Sequence, residues 1–362
     1  MSELQETVQR TLDELVAGGA ARGLQAAVYR HGVPVVDAVA GVADPATGRP
    51  VTPDTPFWSA STGKGMAATV VHVLAERGVL DYDTPLVVWW PEFGAHGKDR
   101  VTLRHVLTHS AGLPAVPPDT TVEDLCDWSR MCAMLATAEP WWEPGTKTAY
   151  HSHTFGYLVG EVVRRATGRP LGQVLAEEVS GPLGIGRELY FGVPATDLPR
   201  LARIEDAPGW VDTVAALPDG APILRLVPRR LVPTAAQANR PDVLTADIPS
   251  TGTLTARAAA RMYAALLGPV DGVRLVSPAR LGDISTVALS GVDEVMGNSA
   301  AWALGYSLGW AGATAFGMPG TGGSAAYADL ATATAVAVTT NRLDPAAGLT
   351  LLERVAGAVT AR

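Results

Sequence analysis

Hydrophobic and polar positions alternate near both ends of the chain. Residues 24–43 form two β-branched, apolar runs on either side of His31-Gly32, and residues 324–343 alternate in the same way. Alternation with a period of two is typical of β-strands, and a short connection containing Gly is typical of a hairpin. The pattern therefore predicts that both chain ends contribute strands to a sheet.

Helical periodicity occupies the long middle of the chain and both termini. Residues 1–23 place apolar side chains on one stripe with charges between them, and residues 155–187 and 346–362 also have helical periods. Strands from both ends around a helical middle indicate an α/β domain that the two ends close, with a helical domain inserted between them. We predict a sheet domain of residues 1–56 and 265–362 and a mainly helical domain of residues 57–264.

Residues 207–250 have the weakest periodicity in the chain and are rich in Pro and Ala. Long stretches without periodicity are uncommon inside compact domains and often serve function. We therefore predict a long loop here, lying over a cleft.

The composition is that of a globular protein, since 47% of the 362 residues are hydrophobic and 18% are charged. A net charge of −8 without any basic run disfavours binding to nucleic acid. No apolar stretch reaches the ~20 residues of a membrane span, and the N-terminal stripe is that of a surface helix, not a signal peptide. Cys126 and Cys132 lie six apart on one predicted helix and form no disulfide framework, so we expect a cytoplasmic protein.

The segment FWSASTGKGMAATVVHVLAERGVL, residues 57–80, places Ser61 three positions before Lys64 at the start of a long apolar helix. Residues three apart share a helix face, and the free N–H groups of a helix N-terminus favour developing negative charge. A lysine whose pKa is lowered by a dry setting can take the serine proton and so create a nucleophile. The same residues also fit an ordinary helix start, with a capping Ser or Thr and a solvated lysine.

Two further segments carry candidate chemistry. Tyr150 and Ser152 follow a Pro-Gly loop and precede a helix. Tyr150 can relay a proton if a nearby ammonium lowers its pKa, and Ser152 can donate a hydrogen bond to substrate or to Lys64. The alternative for Tyr150 is a packed aromatic residue. The Gly-rich segment FGMPGTGGSAAYADL, residues 316–330, fits either a plain tight turn or a backbone that offers an N–H group to an oxyanion.

Taken together, these segments resemble the serine β-lactamase and penicillin-binding-protein superfamily, in the class C-like branch that includes the family VIII carboxylesterases. The resemblance rests first on the Ser-x-x-Lys element of residues 61–64, a motif of that group. Further matching segments, in the same order, are GVLDYDTPLVVWWPEFGAHGKDRVTLRHVLTHSAGLP (78–114), EPGT with YHSHTFGYLVGEVVRRATGRPL (143–171), IPSTGTLTARAAARMYAALL (248–267) and FG-x-x-G-x-GGS (316–324) before a strand ending in TTNRL.

The resemblance implies a β-lactamase/transpeptidase-like α/β fold, with an antiparallel sheet flanked by helices and the active site between the sheet and the helical domain. It implies that Ser61 forms an acyl-enzyme and that Lys64 and Tyr150 share the transfer of its proton to the leaving group. The oxyanion is expected between the backbone N–H groups of Ser61 and Thr321, and each such donor typically lowers the barrier by ~3 kcal/mol. The residues expected to bind substrate are Ser152, His153, Trp142, Met318 and Gly320.

Two departures from the motifs of this branch affect the expected substrate. Tyr-His-Ser at residues 150–152 stands where relatives carry Tyr-x-Asn, and Met-Pro-Gly at residues 318–320 stands where they usually begin with Lys, His or Trp. The chain thus lacks the amide that orients an acylamido side chain and a cation that pairs with a carboxylate. We therefore expect little β-lactamase or D-alanyl-D-alanine peptidase activity.

The expected function is a serine hydrolase, a carboxylesterase that acts on a small or medium ester. The alternative is an acyltransferase of specialised metabolism, which passes the acyl group from Ser61 to an amine or alcohol. A non-catalytic binding module is disfavoured because Ser61, Lys64 and Tyr150 are all present. The expected partners are small molecules, namely an ester or acyl donor and, in the alternative, an acceptor.

His105 and His109 lie four residues apart, a spacing that can suit a metal ion. They belong to a segment that matches a structural part of the family, and no His-Glu-x-x-His pattern occurs. We therefore expect neither a metal nor another cofactor.

Overall fold

Strands from both chain ends form one antiparallel sheet, as the alternating pattern predicts. The computed structural model describes residues 2–345, 347 and 349–360. Its strands are β1 (Gly23–Arg30), β2 (Val33–Asp44), β3 (Arg49–Pro50), β4 (Phe57–Trp58), β5 (Leu189–Tyr190), β6 (Glu205–Asp206), β7 (Thr253–Leu254), β8 (Leu289–Val292), β9 (Ser299–Trp302), β10 (Ser307–Leu308), β11 (Ala315–Pro319), β12 (Ala325–Asp329), β13 (Thr334–Thr340) and β14 (Arg342–Leu343). The main sheet has nine strands in the order β3-β2-β1-β13-β12-β11-β10-β9-β8.

Helices pack on the sheet, and most of them lie in the part of the chain between the N-terminal and C-terminal strands of the main sheet. The α-helices of the described residues are α1 (Glu3–Ala17), α2 (Thr62–Glu76), α3 (Leu103–Leu107), α4 (Val122–Cys126), α5 (Trp128–Thr137), α6 (Thr154–Thr167), α7 (Leu171–Leu175), α8 (Trp210–Ala216), α9 (Pro222–Leu226), α10 (Ala235–Ala238), α11 (Pro241–Thr245), α12 (Ala256–Leu267), α13 (Pro278–Ser285) and α14 (Thr350–Thr360). Shorter helical turns lie at Leu86–Val88, Pro91–Arg100, Ala176–Ser180, Ala195–Arg200 and Arg229–Leu231. The predicted C-terminal helix corresponds to α14, and its residues 346, 348, 361 and 362 lie outside the described residues. Within the described ranges, none of the helices combines the length and apolar character that crossing a membrane requires.

The two chain ends meet at the centre of the sheet, where β1 pairs with β13. Leu24, Ala26 and Val28 of β1 pack in one hydrophobic cluster with α1 and α14. Ala27 and Tyr29, on the opposite face, belong to the cluster that contains α2 and α12. Both faces of this strand are therefore buried, which explains its nearly continuous apolar sequence.

The segment of residues 207–250 is a series of short helices, so the prediction of a long loop was wrong. Pro222 and Pro241 stand in the first turn of α9 and α11. Proline is tolerated there because the first N–H groups of a helix have no partner within the helix. At these two positions a proline that suggested a loop therefore marks the start of a helix.

The division into domains at residues 57 and 265 stays a prediction. Helix α12 packs against β1, β12 and β13, and residue 265 lies inside this helix. Helix α12, which packs against the sheet, thus begins before the predicted domain boundary at residue 265.

Cys126 and Cys132 lie on two helices, α4 and α5, where the sequence suggested one. Asp127 separates them with an extended backbone, and its carboxylate accepts a 3.0 Å hydrogen bond from the backbone N–H of Arg130. Both thiols are free, and burial raises the pKa of each thiol.

Candidate active site

Ser61 occupies the cap position of α2, yet its side chain does not cap the helix. Its backbone is helical, with φ −64° and ψ −9°, and its hydroxyl makes no capping hydrogen bond. The preceding Ala60 has φ 44°, a left-handed conformation that is uncommon for a residue other than Gly and is often found at functional sites. The Ser61 hydroxyl instead contacts Lys64 and Tyr150, which excludes the simple capped-helix alternative.

Lys64 is the basic group beside this hydroxyl. Its Nζ atom lies 3.0 Å from Ser61 Oγ and 2.9 Å from the carbonyl oxygen of Ser250. The side chain is 1% exposed, and this burial lowers the pKa of Lys64 to about 7. A large fraction of Lys64 is therefore neutral near pH ~7, and its lone pair can accept the Ser61 proton while an N–H donates to Ser250.

Two glycines of α2 allow neighbouring segments to seal the lysine from solvent. A Cβ atom at Gly63 would lie 2.3 Å from the backbone carbon of Thr251. A Cβ atom at Gly65 would lie 2.2 Å from the hydroxyl of Tyr263. The small residues of the Ser-x-x-Lys segment thus permit the close packing that lowers the lysine pKa.

Tyr150 Oη donates a 2.7 Å hydrogen bond to Ser61 Oγ. Burial raises the pKa of the Tyr150 phenol well above its ordinary value. Lys64 Nζ lies 4.9 Å from the centroid of the Tyr150 ring, but the pKa of Tyr150 is raised, so the condition of a pKa lowered by a nearby ammonium is not met. Tyr150 holds its proton, and Lys64 is the group that is available as a base.

Asp293 and Trp302 hold Tyr150 in place, and sequence analysis missed both. Asp293 Oδ2 accepts a 2.7 Å hydrogen bond from the backbone N–H of Tyr150. The Trp302 ring stacks on Tyr150, with centroids 6.1 Å and planes 14° apart. Neither residue lies in a recognisable motif. Ser250 lies in the matching segment IPSTGT, but it contributes a backbone carbonyl, which no side-chain pattern reveals.

The end of β11 packs directly on the start of α2. A Cβ atom at Gly320 would lie 2.4 Å from the carbonyl oxygen of Ser59 and 2.7 Å from Thr62 Oγ1. Gly320 therefore allows this close packing, and the next residue, Thr321, lines the same two pockets as Ser61. In the described part of the chain neither Ser61 nor Thr321 uses its backbone N–H in a hydrogen bond, so both groups are available to an oxyanion.

Ser61 lies where two pockets meet. The small pocket, of about 90 Å³, is lined mainly by Trp58, Leu125, Ser152, His153, Ile223, Val227, Leu231, Gln237, Val243 and Ile248. The large pocket, of about 550 Å³, is lined mainly by Asp293, Met296, Asn298, Trp302, Leu308, Trp310, Met318, Gly320 and Leu349. Ser61, Tyr150, Ile223 and Thr321 border both pockets.

The structure brings four of the five predicted substrate-binding residues to these pockets. Ser152 and His153 line the small pocket, while Met318 and Gly320 line the large one. Trp142 lies outside both: its Nε1–H donates a 3.2 Å hydrogen bond to the carbonyl oxygen of Ser110, and its ring packs against the hydrophobic core.

The histidines near the site support the backbone. His109 Nδ1 accepts a 3.0 Å hydrogen bond from the N–H of His151, and His151 Nε2 accepts one of 3.2 Å from the N–H of Leu113. Burial lowers the pKa of both imidazoles, which keeps them neutral. Across the described residues, no three or more His, Cys, Asp or Glu side chains are grouped so that they could hold a metal ion.

Comparisons with known sequences give one consistent result. A family model described as Beta-lactamase matches residues 8–360. The esterase/beta-lactamase LipL of Mycobacterium tuberculosis (strain ATCC 25618 / H37Rv) is 35% identical over 360 residues, which cover 93% of this chain and 81% of LipL.

Solved structures of similar proteins share the whole fold. A family VIII carboxylesterase is 34% identical with a TM-score of 0.88, over 99% of this chain and 97% of that one. A penicillin-binding-protein homologue from Caulobacter crescentus is 32% identical with a TM-score of 0.86, over 99% of this chain and 98% of that one.

Proposed function

This chain belongs to the β-lactamase family of serine hydrolases, and on that premise we propose that it is a carboxylesterase that forms an acyl-enzyme at Ser61. One observation carries the proposal. Ser61 Oγ lies within hydrogen-bond distance of both a base, Lys64 Nζ at 3.0 Å, and a proton donor, Tyr150 Oη at 2.7 Å. Activation of a serine by an adjacent base is the requirement for nucleophilic catalysis.

In the acylation step, Ser61 Oγ attacks the ester carbonyl carbon while Lys64 Nζ accepts its proton. The carbonyl oxygen becomes an oxyanion, which the N–H groups of Ser61 and Thr321 stabilise. The bond to the alcohol then breaks, and Lys64 and Tyr150 return a proton to the departing alkoxide. In the second step, water attacks the acyl-enzyme while Lys64 accepts its proton. The tetrahedral intermediate then collapses, Lys64 and Tyr150 return a proton to the departing Ser61 Oγ, and the acid is released.

The charge of the pockets supports a neutral ester as substrate. Apart from Lys64, none of the described residues that line either pocket is a Lys or Arg. A penicillin or cephalosporin carboxylate would therefore lose its hydration without gaining a charged partner. We expect slow hydrolysis of the chromogenic cephalosporin nitrocefin, and efficient turnover of nitrocefin would contradict this part of the proposal.

The central test compares p-nitrophenyl ester hydrolysis by the wild type, Ser61→Ala and Ser59→Ala. Ser61→Ala is expected to lower kcat by about 10³-fold or more with unchanged circular dichroism. Ser59→Ala is the matched control, because the Ser59 hydroxyl donates to the carbonyl of Phe57 and does not line either pocket. Ester turnover retained by Ser61→Ala would overturn the assignment.

The same assay separates hydrolysis from acyl transfer, because both reactions share the acyl-enzyme. Alcohols and amines are added as acceptors, and the products are identified by mass spectrometry. Free acid released at an unchanged rate supports the esterase. Faster turnover with an acylated acceptor would instead identify an acyltransferase.

A further inference from the structure

We propose that the small pocket binds a short acyl group that carries a hydroxyl, and that Gln237 and His153 hydrogen-bond this hydroxyl. The inference rests on the proposed esterase function, and it names the class of acyl group. It starts from two of the polar residues that line this mainly apolar pocket, because each of them carries a buried polar atom without a partner among the described residues.

Gln237 and His153 contribute these polar atoms. Gln237 Oε1 and His153 Nδ1 are both buried, and neither has a hydrogen-bond partner within the described residues. His153 is 8% exposed, and burial lowers its pKa to about 4, so the imidazole is neutral. Buried polar atoms are nearly always paired with protein or ligand groups or with water, and each exception requires an explanation.

The order of the reaction assigns the acyl group to the small pocket. The acyl group stays on Ser61 through both steps, whereas the alcohol must leave and water must enter between them. The large pocket, about 550 Å³, suits the exchanging groups, and the small pocket, about 90 Å³, suits the group that stays. That volume restricts the acyl chain to a few carbons.

Hydrogen bonding and charge together select a hydroxyl as the polar group of the acyl chain. A hydroxyl can donate to Gln237 Oε1 and accept from His153 Nδ1 in the imidazole tautomer that carries its proton on Nδ1. An ammonium group is disfavoured because Lys64 lines the pocket and none of the described lining residues is an Asp or Glu. A plain alkyl chain would leave Gln237 Oε1 and His153 Nδ1 without a hydrogen-bond partner.

Sites that hydrogen-bond a substrate hydroxyl discriminate strongly against the analogue that lacks it. The test therefore measures kcat/KM in a pH-stat for ethyl butyrate and for ethyl 2-hydroxybutyrate and 3-hydroxybutyrate, each enantiomer separately. The wild type is expected to prefer one of the hydroxy esters by about tenfold or more. A third pair, ethyl butyrate and 2-hydroxyethyl butyrate, places the hydroxyl on the alcohol side and is expected to show no preference.

The variant arm uses Gln237→Met, which keeps the length of the side chain and removes its hydrogen-bonding groups. It is expected to bring the ratio between hydroxy and plain esters to about one, through loss of activity on the hydroxy ester. Gln173→Met is the matched control, since Gln173 is exposed on α7 and lines neither pocket, and it should keep the wild-type ratio.

The outcomes separate this inference from the proposed function. If no ester is hydrolysed, the esterase proposal fails. If esters are hydrolysed equally well with and without an acyl hydroxyl, the inference fails and the esterase proposal stands. A preference confined to the alcohol side, or one that survives in Gln237→Met, would also overturn the inference. The comparison of hydroxy and plain esters with the wild-type enzyme tests the inference even if Gln237→Met does not fold.

Discussion

Protonation of a single residue, Lys64, is expected to set the pH dependence of the reaction. Burial lowers its pKa to about 7, and only the neutral form can accept the Ser61 proton. For a neutral ester, kcat/KM should therefore rise with pH through about 7 and become constant above about pH 8, because kcat/KM reports the free enzyme. A stopped-flow or spectrophotometric pH profile measures this. Lys64→Arg should lose both the activity and the rising limb, since Arg keeps its proton.

The Tyr150 hydroxyl is expected to contribute to catalysis independently of the packing of its ring. Tyr150→Phe removes the hydrogen bond to Ser61 Oγ but keeps the ring that stacks on Trp302. We predict a kcat lower by about 10²-fold to 10⁴-fold with an unchanged melting temperature. Tyr263→Phe is the control, because the Tyr263 hydroxyl is buried and has no hydrogen-bond partner among the described residues. Equal losses in the two variants would assign the effect to packing.

The structure brings Ser61, Lys64 and Tyr150 together, and their catalytic roles stay a prediction. Helix spacing predicted the first two as neighbours, whereas Tyr150 was selected through the family resemblance. Spacing along one helix brings Ser61 and Lys64 together by geometry alone. Trp142 also lies close in sequence to Tyr150, but it turns to the Ser110 carbonyl and not to the pockets. Proximity along the chain does not determine the direction of a side chain on a loop.

The contact between the end of β11 and the start of α2 is expected to position the proposed oxyanion donors. Gly320→Ala would place a methyl group 2.4 Å from the Ser59 carbonyl oxygen, so the strand end must move away from the helix. We predict a fall in kcat of about 10²-fold or more, because the Thr321 N–H leaves its position. Gly282→Ala in α13 is the control, since no atom of the described part of the chain would lie within 4 Å of the added Cβ, and kcat should not change. Full activity of Gly320→Ala would argue against Thr321 as a donor.

Whole elements were predictable where a period was present, and not where proline interrupted it. Alternation located β1, β2, β12 and β13, and helical periods located α1, α6 and α14. In residues 207–250 each helix has eight residues or fewer, too short for a period to be recognised, and Pro222 and Pro241 resemble loop residues. This segment contributes nearly half of the residues that line the small pocket, so the shape of that pocket depends on a part of the chain whose structure the sequence pattern did not predict.

For the whole molecule, the two chain ends were predicted to close one sheet, and they do so through the pairing of β1 with β13. The complete strand order could not be predicted, because it depends on contacts between residues more than 300 positions apart, such as Leu24 with Thr340. The alternation of apolar and polar residues indicates that a strand has a buried face. The alternation does not indicate which other strand of the sheet pairs with that strand.

Burial of Lys64 is expected to favour catalysis but to lower the stability of the folded protein. In the unfolded chain Lys64 has the ordinary pKa of 10.5, and in the folded protein its pKa is about 7. Between these values the unfolded state binds more protons, so the free energy of unfolding rises with pH in that window. Below pH ~7 the lysine is charged in both states, and the cost of burying the charge is fully present.

Lys64→Met removes this cost and should unfold at higher urea concentration than the wild type near pH ~6, with a difference of a few kcal/mol. The difference should shrink steadily toward pH ~10, where the wild-type lysine is neutral in the folded state. Lys147→Met is the control, because Lys147 is exposed and pairs with Glu294, and it should stay within about 0.5 kcal/mol of the wild type at each pH. A Lys64→Met variant that is less stable than the wild type at pH ~6 would show that the lysine contributes more through its hydrogen bonds than burial costs.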